Sequence, residues 1–267
     1  MVRMAVAGGA GRMGIRIIHA IVSREGAELA GAFEAPGNPA VGQAISAIAG
    51  QAEAPGVMGD DVVQAIANAD VLIDFTAPAA TVNNVAKAAE AGKAMVIGTT
   101  GLDKAQQEEI KKQAAKIPVV YAPNMSVGMN LMFKLVGMIA EVLGDGYALE
   151  LVEAHHDQKK DAPSGTAVKL LAELAAARGW NLDEVLKHGR QGMVGARSKD
   201  EIGVSVIRGG DIVGDHTVYF IGQGERLEFT HRAHSRDTFV QGAVRAALWV
   251  SGKEPGLYNM QDVLGLK

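Results

Sequence analysis

The stretch EAHHDQKKDAPSGT, residues 153–166, sets two adjacent histidines, His155 and His156, near two adjacent lysines, Lys159 and Lys160, and ends in Pro-Ser-Gly-Thr. Histidine titrates near neutral pH. Lysine ordinarily does not, but burial or nearby positive charge lowers its pKa. Lys159 has Lys160 and both histidines as sequence neighbours, which would move it toward a useful range. A carbonyl or imine reduced by hydride also needs a proton, and a cationic donor beside the reacting atom meets that need. Ser164 is a good N-cap for the apolar helical run that follows. Gly165 and Thr166 then fall in the first turn, whose unpaired N–H groups suit a carboxylate, and Gly165 lets an anion come close. The stretch thus describes a pocket for a small anionic substrate beside a proton source. A solvated charged loop ahead of an ordinary helix cap is the plain alternative. If extension runs through residue 156, His155 and His156 point to opposite faces and have different jobs. Zinc needs several converging ligands, and adjacent histidines rarely converge, so no metal is expected even with Glu153 and Asp157 nearby.

A second set of residues suits a dinucleotide. AVAGGAGRMG, residues 5–14, places Gly8, Gly11 and Gly14 at G-x-x-G-x-x-G spacing. A short apolar run, 4–7, precedes the glycines, and Met13, Ile17, Ile18 and Ile21 follow at helical spacing over 12–23. A glycine turn between strand and helix lets backbone approach a pyrophosphate, and the helix N-terminus favours its charge. Glu34 lies about 20 residues beyond Gly14, after a second apolar run at 29–33, where an acid accepts from ribose hydroxyls. Two further loops, GTTG (98–101) and APNMS (122–126), follow predicted strands, and ligands of open α/β sheets bind outside strand carboxyl ends.

The elements that must position these groups follow from periodicity. Strands are predicted at 71–76, 94–97 and 119–121, and helices at 61–68, 79–91 and 103–116, while 36–59 is too rich in Gly, Ala and Pro to assign. Alternating strands and helices imply a parallel sheet covered on both faces. Residues 127–143 read as a long helix whose methionines, among them Met129, Met132 and Met138, are core filler. A strand at 149–154, a helix at 164–178, strands at 204–208, 217–221 and 226–230 with glycine turns, and a helix at 238–250 complete the chain. The fold class is α/β: a Rossmann-type doubly wound parallel sheet, then an α+β domain with a mainly antiparallel, mixed sheet.

The 267 residues suffice for two domains, and 48% hydrophobic content for a proper core. Net charge is -4 with signs intermixed, which gives no reason to expect nucleic acid or a membrane surface as partner. There is no cysteine, hence no disulfide, thiolate metal site or cysteine nucleophile. That absence argues against a semialdehyde dehydrogenase, which holds its acyl group on a thiolate. No signal peptide and no run of about 18 apolar residues is read, so a soluble, cytoplasmic protein is expected.

The string EAHHDQKKDAPSGTA closely resembles the signature of the 4-hydroxy-tetrahydrodipicolinate reductase (dihydrodipicolinate reductase) family of lysine biosynthesis. The resemblance spans essentially the whole chain, through VAGGAGRMG, DFTAPAAT, VIGTTG, PNMSVGMN, RGGDIVGDHTVYF, ERLEFTHRAHSRDTFVQGAVRAALW and GLYNMQDVLGL. It implies that Gly8, Gly9, Ala10, Gly11, Arg12 and Met13 cradle the pyrophosphate and Glu34 takes the adenosine ribose. Gly98, Thr99, Thr100, Ala122, Pro123, Asn124 and Met125 would line the nicotinamide side. His155 and Lys159 match the proton-donating pair, His156 a substrate contact, and Gly165 and Thr166 the grip on a substrate carboxylate.

The implied reaction is NAD(P)H-dependent reduction of a cyclic dicarboxylate imine, with hydride added at ring C4. The implied organisation is a dinucleotide domain at 1–126 with 236–267 packing back on it, and a substrate domain at 127–235 that forms a homotetramer. Members that use NADPH well often carry arginine directly after the ribose glutamate. This chain has Ala35 there, so NADH is expected to be preferred. Other readings of the glycine turn, such as another Rossmann-fold reductase of a small anion or a non-catalytic dinucleotide sensor, leave His155, Lys159 and residues 164–166 less well explained.

Overall fold

The computed structural model describes residues 1–266. It divides the chain into two compact units: Met1–Val127 together with the stretch from Asp237 onward, and Gly128–Arg236.

The first unit is a six-stranded sheet. In chain order its elements are β1 (Val2–Ala7), α1 (Arg12–Val22), β2 (Ala27–Phe33), α2 (Ile45–Ala49), α3 (Val62–Ile66), β3 (Val71–Asp74), α4 (Pro78–Glu90), β4 (Ala94–Ile97), α5 (Lys104–Ala114) and β5 (Pro118–Tyr121). After the second unit the chain adds α9 (Asp237–Val250), β11 (Gly256–Tyr258) and α10 (Met260–Leu264) to this body. Strand order is β11-β5-β4-β3-β1-β2, every pairing parallel.

Parallel strands covered on both faces must be apolar on both. Along β1, Met4 and Val6 join one cluster with Ile17, Ile18 and Ile21 of α1 and Val240 and Val244 of α9. Ala5 and Ala7 join the other, with Val85 of α4 and Ile110 of α5. The helices start where their caps put them. Asp61 caps α3 by accepting from the Gln64 N–H, and Asp103 and Gln106 form a reciprocal capping box on α5. The unassigned segment 36–59 contains α2 and two isolated bridges, Phe33 to Gly59 and Ala44 to Val57. These contacts are set by tertiary position, which periodicity does not register. The short β11 and α10 likewise lie beyond the last predicted helix.

The second unit contains α6 (Val127–Leu143), β6 (Ala148–His155), α7 (Gly165–Ala177), α8 (Leu182–Val185), β7 (Leu186–His188), β8 (Ile202–Arg208), β9 (Gly214–Ile221) and β10 (Arg226–Ala233). Its sheet runs β10-β9-β6-β8-β7. The β10–β9 and β9–β6 pairings are antiparallel, while β6–β8 and β8–β7 are parallel. Glycine turns between successive strands point to the antiparallel half only. The parallel half arises because the chain leaves β6 through α7 and α8 and returns beside it as β8. Phe133, Leu149, Leu151, Leu170, Leu174, Ile202, Val218 and Phe220 form the core between this sheet and helices α6 and α7.

Val127–Gly146 is 20 residues with mean hydropathy 1.5, long and apolar enough by length and composition to cross a membrane. Asn130, Lys134, Glu141 and Asp145 interrupt it, so it holds no unbroken run of about 18 apolar residues. Its inner face, Met129, Met132, Phe133, Val136 and Ala140, is buried in the second core.

Candidate active site

In the first unit, β1, β2 and β3 end at one rim, and a cleft there is lined by Gly8, Gly11, Glu34, Ala35, Thr76 and Asn84, among others. The rim is a topological switch point: the chain goes from β1 to β2 on one side, then to β3 on the other. Gly8 has φ +68, a left-handed conformation that favours glycine. A Cβ on Gly14 would lie 2.1 Å from the Gly8 carbonyl oxygen, so the helix can begin this close to the turn only with glycine there.

Most donors of the turn are already used. Gly8 and Gly9 N–H donate to Phe33 O, Gly11 N–H donates to Gly8 O, and Ala10 N–H donates to Glu34 Oε1 at 3.0 Å. What remains is the start of α1. Gly11 supplies no side-chain cap and the first turn has no acid, so the N–H groups of Arg12, Met13 and Gly14 face outward without a side-chain acceptor. A pyrophosphate fits this uncapped start. Glu34, half-buried, is held at the cleft by its bond to Ala10, its carboxylate beside exposed Ala35.

Behind the cleft is a group the sequence reading missed. Asp74, fully buried at the end of β3, accepts from Thr76 N–H at 2.8 Å, Thr76 Oγ1 at 2.6 Å and Asn84 Nδ2 at 2.8 Å. Thr81 and Thr99 hydroxyls complete the shell. The hydroxyl of Thr99 is therefore absorbed into this network, and what Thr99 could offer a ligand is backbone. Gly98 lies against the Phe75 ring, where a Cβ would come within 2.2 Å. Thr100 and Pro123 are exposed, Ala122 and Met125 are buried, and Asn124 Oδ1 accepts from Ser126 N–H at 2.9 Å.

In the second unit, the stretch 153–166 is the end of β6, a loop and the start of α7. Its centre is Glu153, fully buried. Arg208 forks onto it, Nη1 to Oε2 at 2.8 Å and Nη2 to Oε1 at 2.9 Å. Ser164 N–H donates to Oε1 at 2.9 Å, and His155 Nδ1 lies 2.6 Å from Oε2. Burial alone would raise the pKa of Glu153, but the Arg208 fork, His155 and the Ser164 N–H outweigh it and hold the carboxyl below its usual range. Burial pushes His155 below its ordinary value despite Glu153, with Lys159 and Arg208 adding to the effect.

Ser164 is the N-cap, its Oγ accepting from Ala167 N–H at 3.1 Å. The same oxygen is 3.1 Å from His216 Nε2. Burial above all drives His216 down to about 3, so its ring is neutral. His216 Nδ1 is buried without a partner, so the ring is held through Nε2 and the Ser164 hydroxyl alone.

Lys159 pairs with Asp161 at 3.0 Å and is mostly buried, while Lys160 is exposed. Counting sequence neighbours leaves Lys159 among cations; the fold adds a carboxylate. His156 lies one residue past the end of β6, so strand alternation does not reach it; it is half-exposed and outside the buried network. Gly165 is exposed with open space around its α-carbon, and Thr166 is half-buried beside it. Glu153 was visible in the sequence only as a possible metal ligand, and Arg208 and His216 only within RGGDIVGDHTVYF. Among the described residues no group of acidic and histidine side chains is arranged to hold a metal ion.

A switch-point cleft with an uncapped glycine turn and a carboxylate at its lip, in a chain whose second sheet carries a cluster of paired charges and histidines, fits the class of dinucleotide-dependent reductases. Family models for dihydrodipicolinate reductase match residues 2–125 with its N-terminal part and 128–264 with its C-terminal part. The 4-hydroxy-tetrahydrodipicolinate reductases of Geotalea daltonii and Syntrophobacter fumaroxidans are each 52% identical over 267 residues, covering 100% of both chains. The chain belongs to the dihydrodipicolinate reductase family. It is an NAD(P)H-dependent oxidoreductase of the diaminopimelate route to lysine, reducing 4-hydroxy-tetrahydrodipicolinate to tetrahydrodipicolinate. The fold is shared with a dipicolinate-bound dihydrodipicolinate reductase from Paenisporosarcina sp. TG-14, with TM-score 0.74, 23% identity and 98% of each chain covered. An amine dehydrogenase from Mycobacterium smegmatis shares it more loosely, with TM-score 0.60, 14% identity and coverage of 97% and 95%.

Proposed function

We propose that Lys159, with His155, delivers the proton of this reduction, that α7 grips a carboxylate of the substrate, and that NADH is the preferred reductant. One observation carries the catalytic part. Ser164 caps α7 and donates its N–H to Glu153, the carboxylate that also takes His155 Nδ1, so the proton-transfer group and the anion-binding helix start form one hydrogen-bonded unit. The reduced nicotinamide, when bound, supplies the hydride that adds at ring C4. The N–H groups at the start of α1 hold the pyrophosphate, and Glu34 accepts from the ribose hydroxyls.

The residues around the substrate do the rest. Gly165 and Thr166 bind one carboxylate at the positive end of α7 and His156 contacts the substrate from the loop. Adding hydride to the conjugated imine leaves an electron-rich enamine, and the ammonium of Lys159 gives up a proton to it. The preference for NADH is supported by Glu34 followed by exposed Ala35 at the cleft, where a side chain able to pair with a 2′-phosphate is replaced by a methyl group. The dipicolinate carried by the Paenisporosarcina enzyme, a planar dicarboxylate, fits the same reading of the substrate pocket. The first unit would hold the dinucleotide and the second the substrate, in a cytoplasmic homotetramer.

The test is turnover of enzymatically supplied substrate with NADH and NADPH side by side. A kcat/KM at least several-fold higher with NADH is expected; an equal or higher value with NADPH removes the cofactor preference.

A further inference from the structure

We infer that Glu153 is a positioning residue for proton transfer: with Arg208 it fixes the His155 ring in the Nδ1–H tautomer and leaves Nε2 as the working nitrogen. The inference rests on the reading of His155 as a proton-transfer residue.

Four donors converge on this buried carboxylate. Two are guanidinium N–H groups of Arg208 and one is the backbone N–H of Ser164, none of which can accept. An ionised carboxylate has no proton to give. The ring nitrogen of His155 at 2.6 Å from Oε2 is the one member of the set with a choice, and there it must donate. A neutral imidazole carries one N–H, so Nε2 holds a lone pair. Burial keeps the ring neutral at pH 7, in agreement with this geometry.

The anchor is stiff on every side. Arg208 Nη2 also donates to Asp161 O at 2.7 Å, tying the fork to the loop that carries Lys159. Gly214 passes so close to Nε2 that a Cβ would lie 3.0 Å away, and the His216 ring meets His155 edge-on at 5.1 Å between centroids. Lys159 is near enough for its charge to act on the ring. The pair is thereby divided: Lys159 is the cation that yields the proton, and His155 Nε2 is a fixed acceptor that orients it. The charged and titratable groups facing His155 are Glu153 on its own strand, Lys159 on the following loop, Arg208 on β8 and His216 on β9, with His231 of β10 acting on His216.

The decisive variant is Glu153→Gln. The amide keeps an oxygen for the Ser164 N–H and Arg208 Nη2 but turns an N–H toward His155 and Arg208 Nη1, which removes the acceptor that holds the Nδ1–H tautomer. Expected are a kcat lower by about a hundredfold, NADH affinity within about twofold of wild type and substrate KM little changed. The spectroscopic signature comes from 15N-histidine-labelled enzyme, with the His155 signals identified by their loss in His155→Asn. Wild type should show Nδ1–H, and Glu153→Gln should show Nε2–H. An unchanged kcat in Glu153→Gln, or an Nε2–H ring in wild type, overturns the inference. The wild-type spectrum decides even if the variant fails to fold. If His155→Asn keeps full kcat, the role of His155 itself is lost. If His155→Asn is inactive while Glu153→Gln is not, only the positioning role falls.

Discussion

The Nε2 edge of His155 rests on Gly214, where a side chain would crowd the ring: a Cβ there would stand 3.0 Å from the nitrogen, close enough that the ring would have to shift. The ring is tied at its other nitrogen to Glu153, so it cannot turn aside without breaking a buried bond. Gly214→Ala is expected to lower kcat about tenfold by displacing the ring, a misplacement of the kind that costs rate without costing binding. Steady-state kinetics with NADH titration checks it; weakened NADH binding with unchanged kcat would mean the contact is not catalytic.

If Lys159 is the proton donor proposed above, Lys159→Ala should reduce kcat on the order of a hundredfold or more while NADH affinity is kept. Single-turnover rates against fluorescence-measured NADH binding separate the two. Loss of NADH binding with normal turnover of the bound complex would reassign Lys159 to the cofactor.

Ala35→Arg should raise the ratio of kcat/KM for NADPH over NADH by about tenfold or more, because a guanidinium at the cleft beside Glu34 can pair with a 2′-phosphate. Parallel assays with the two reductants measure the ratio. No change in it would place the discrimination elsewhere in the cleft.

Gly14→Ala places a methyl group 2.1 Å from the Gly8 carbonyl oxygen and must open the turn. Expected are a loss of about 2–4 kcal/mol in stability and at least tenfold weaker NADH binding. Thermal melts with and without NADH check both.

Acid sensitivity follows from His216, whose pKa falls from 6.5 to about 3 on burial. Below pH 6.5 the unfolded chain takes up a proton that the folded one refuses, so stability decreases as pH falls from 6.5 toward 3. By pH 4.5 this amounts to about 2–3 kcal/mol. His216→Gln, which keeps a polar group for the Ser164 hydroxyl, should flatten that part of the curve. Glu153 adds its own loss only below 4.5, where its unfolded carboxyl begins to protonate. Urea unfolding at pH 7 and pH 4.5 for both proteins is the measurement; equal slopes would show that His216 is not the sensor.

The sequence alone determined the local features. Hydrophobic period marks β1, α1, β4 and α6 because apolar residues recur every second or every third and fourth position, or run unbroken where both faces are covered. Ser164 as a cap and Gly8 as a turn residue are legible because their effects reach only neighbouring backbone. His155, Lys159 and Glu34 are candidates by residue type, but only the family resemblance separates Lys159 from Lys160 and gives the two histidines different roles.

Only tertiary structure decided what long-range pairing creates. Glu153 becomes a site residue because Arg208, 55 positions away, forks onto it. Ser164 acquires His216 at a separation of 52 positions, and the sheet becomes mixed because β8 returns parallel beside β6. Asp74 gathers threonines from α4 and the loop after β4. A buried carboxylate is stable only if donors surround it, and which donors arrive depends on strand order and register. Neither is written in any local stretch of the chain.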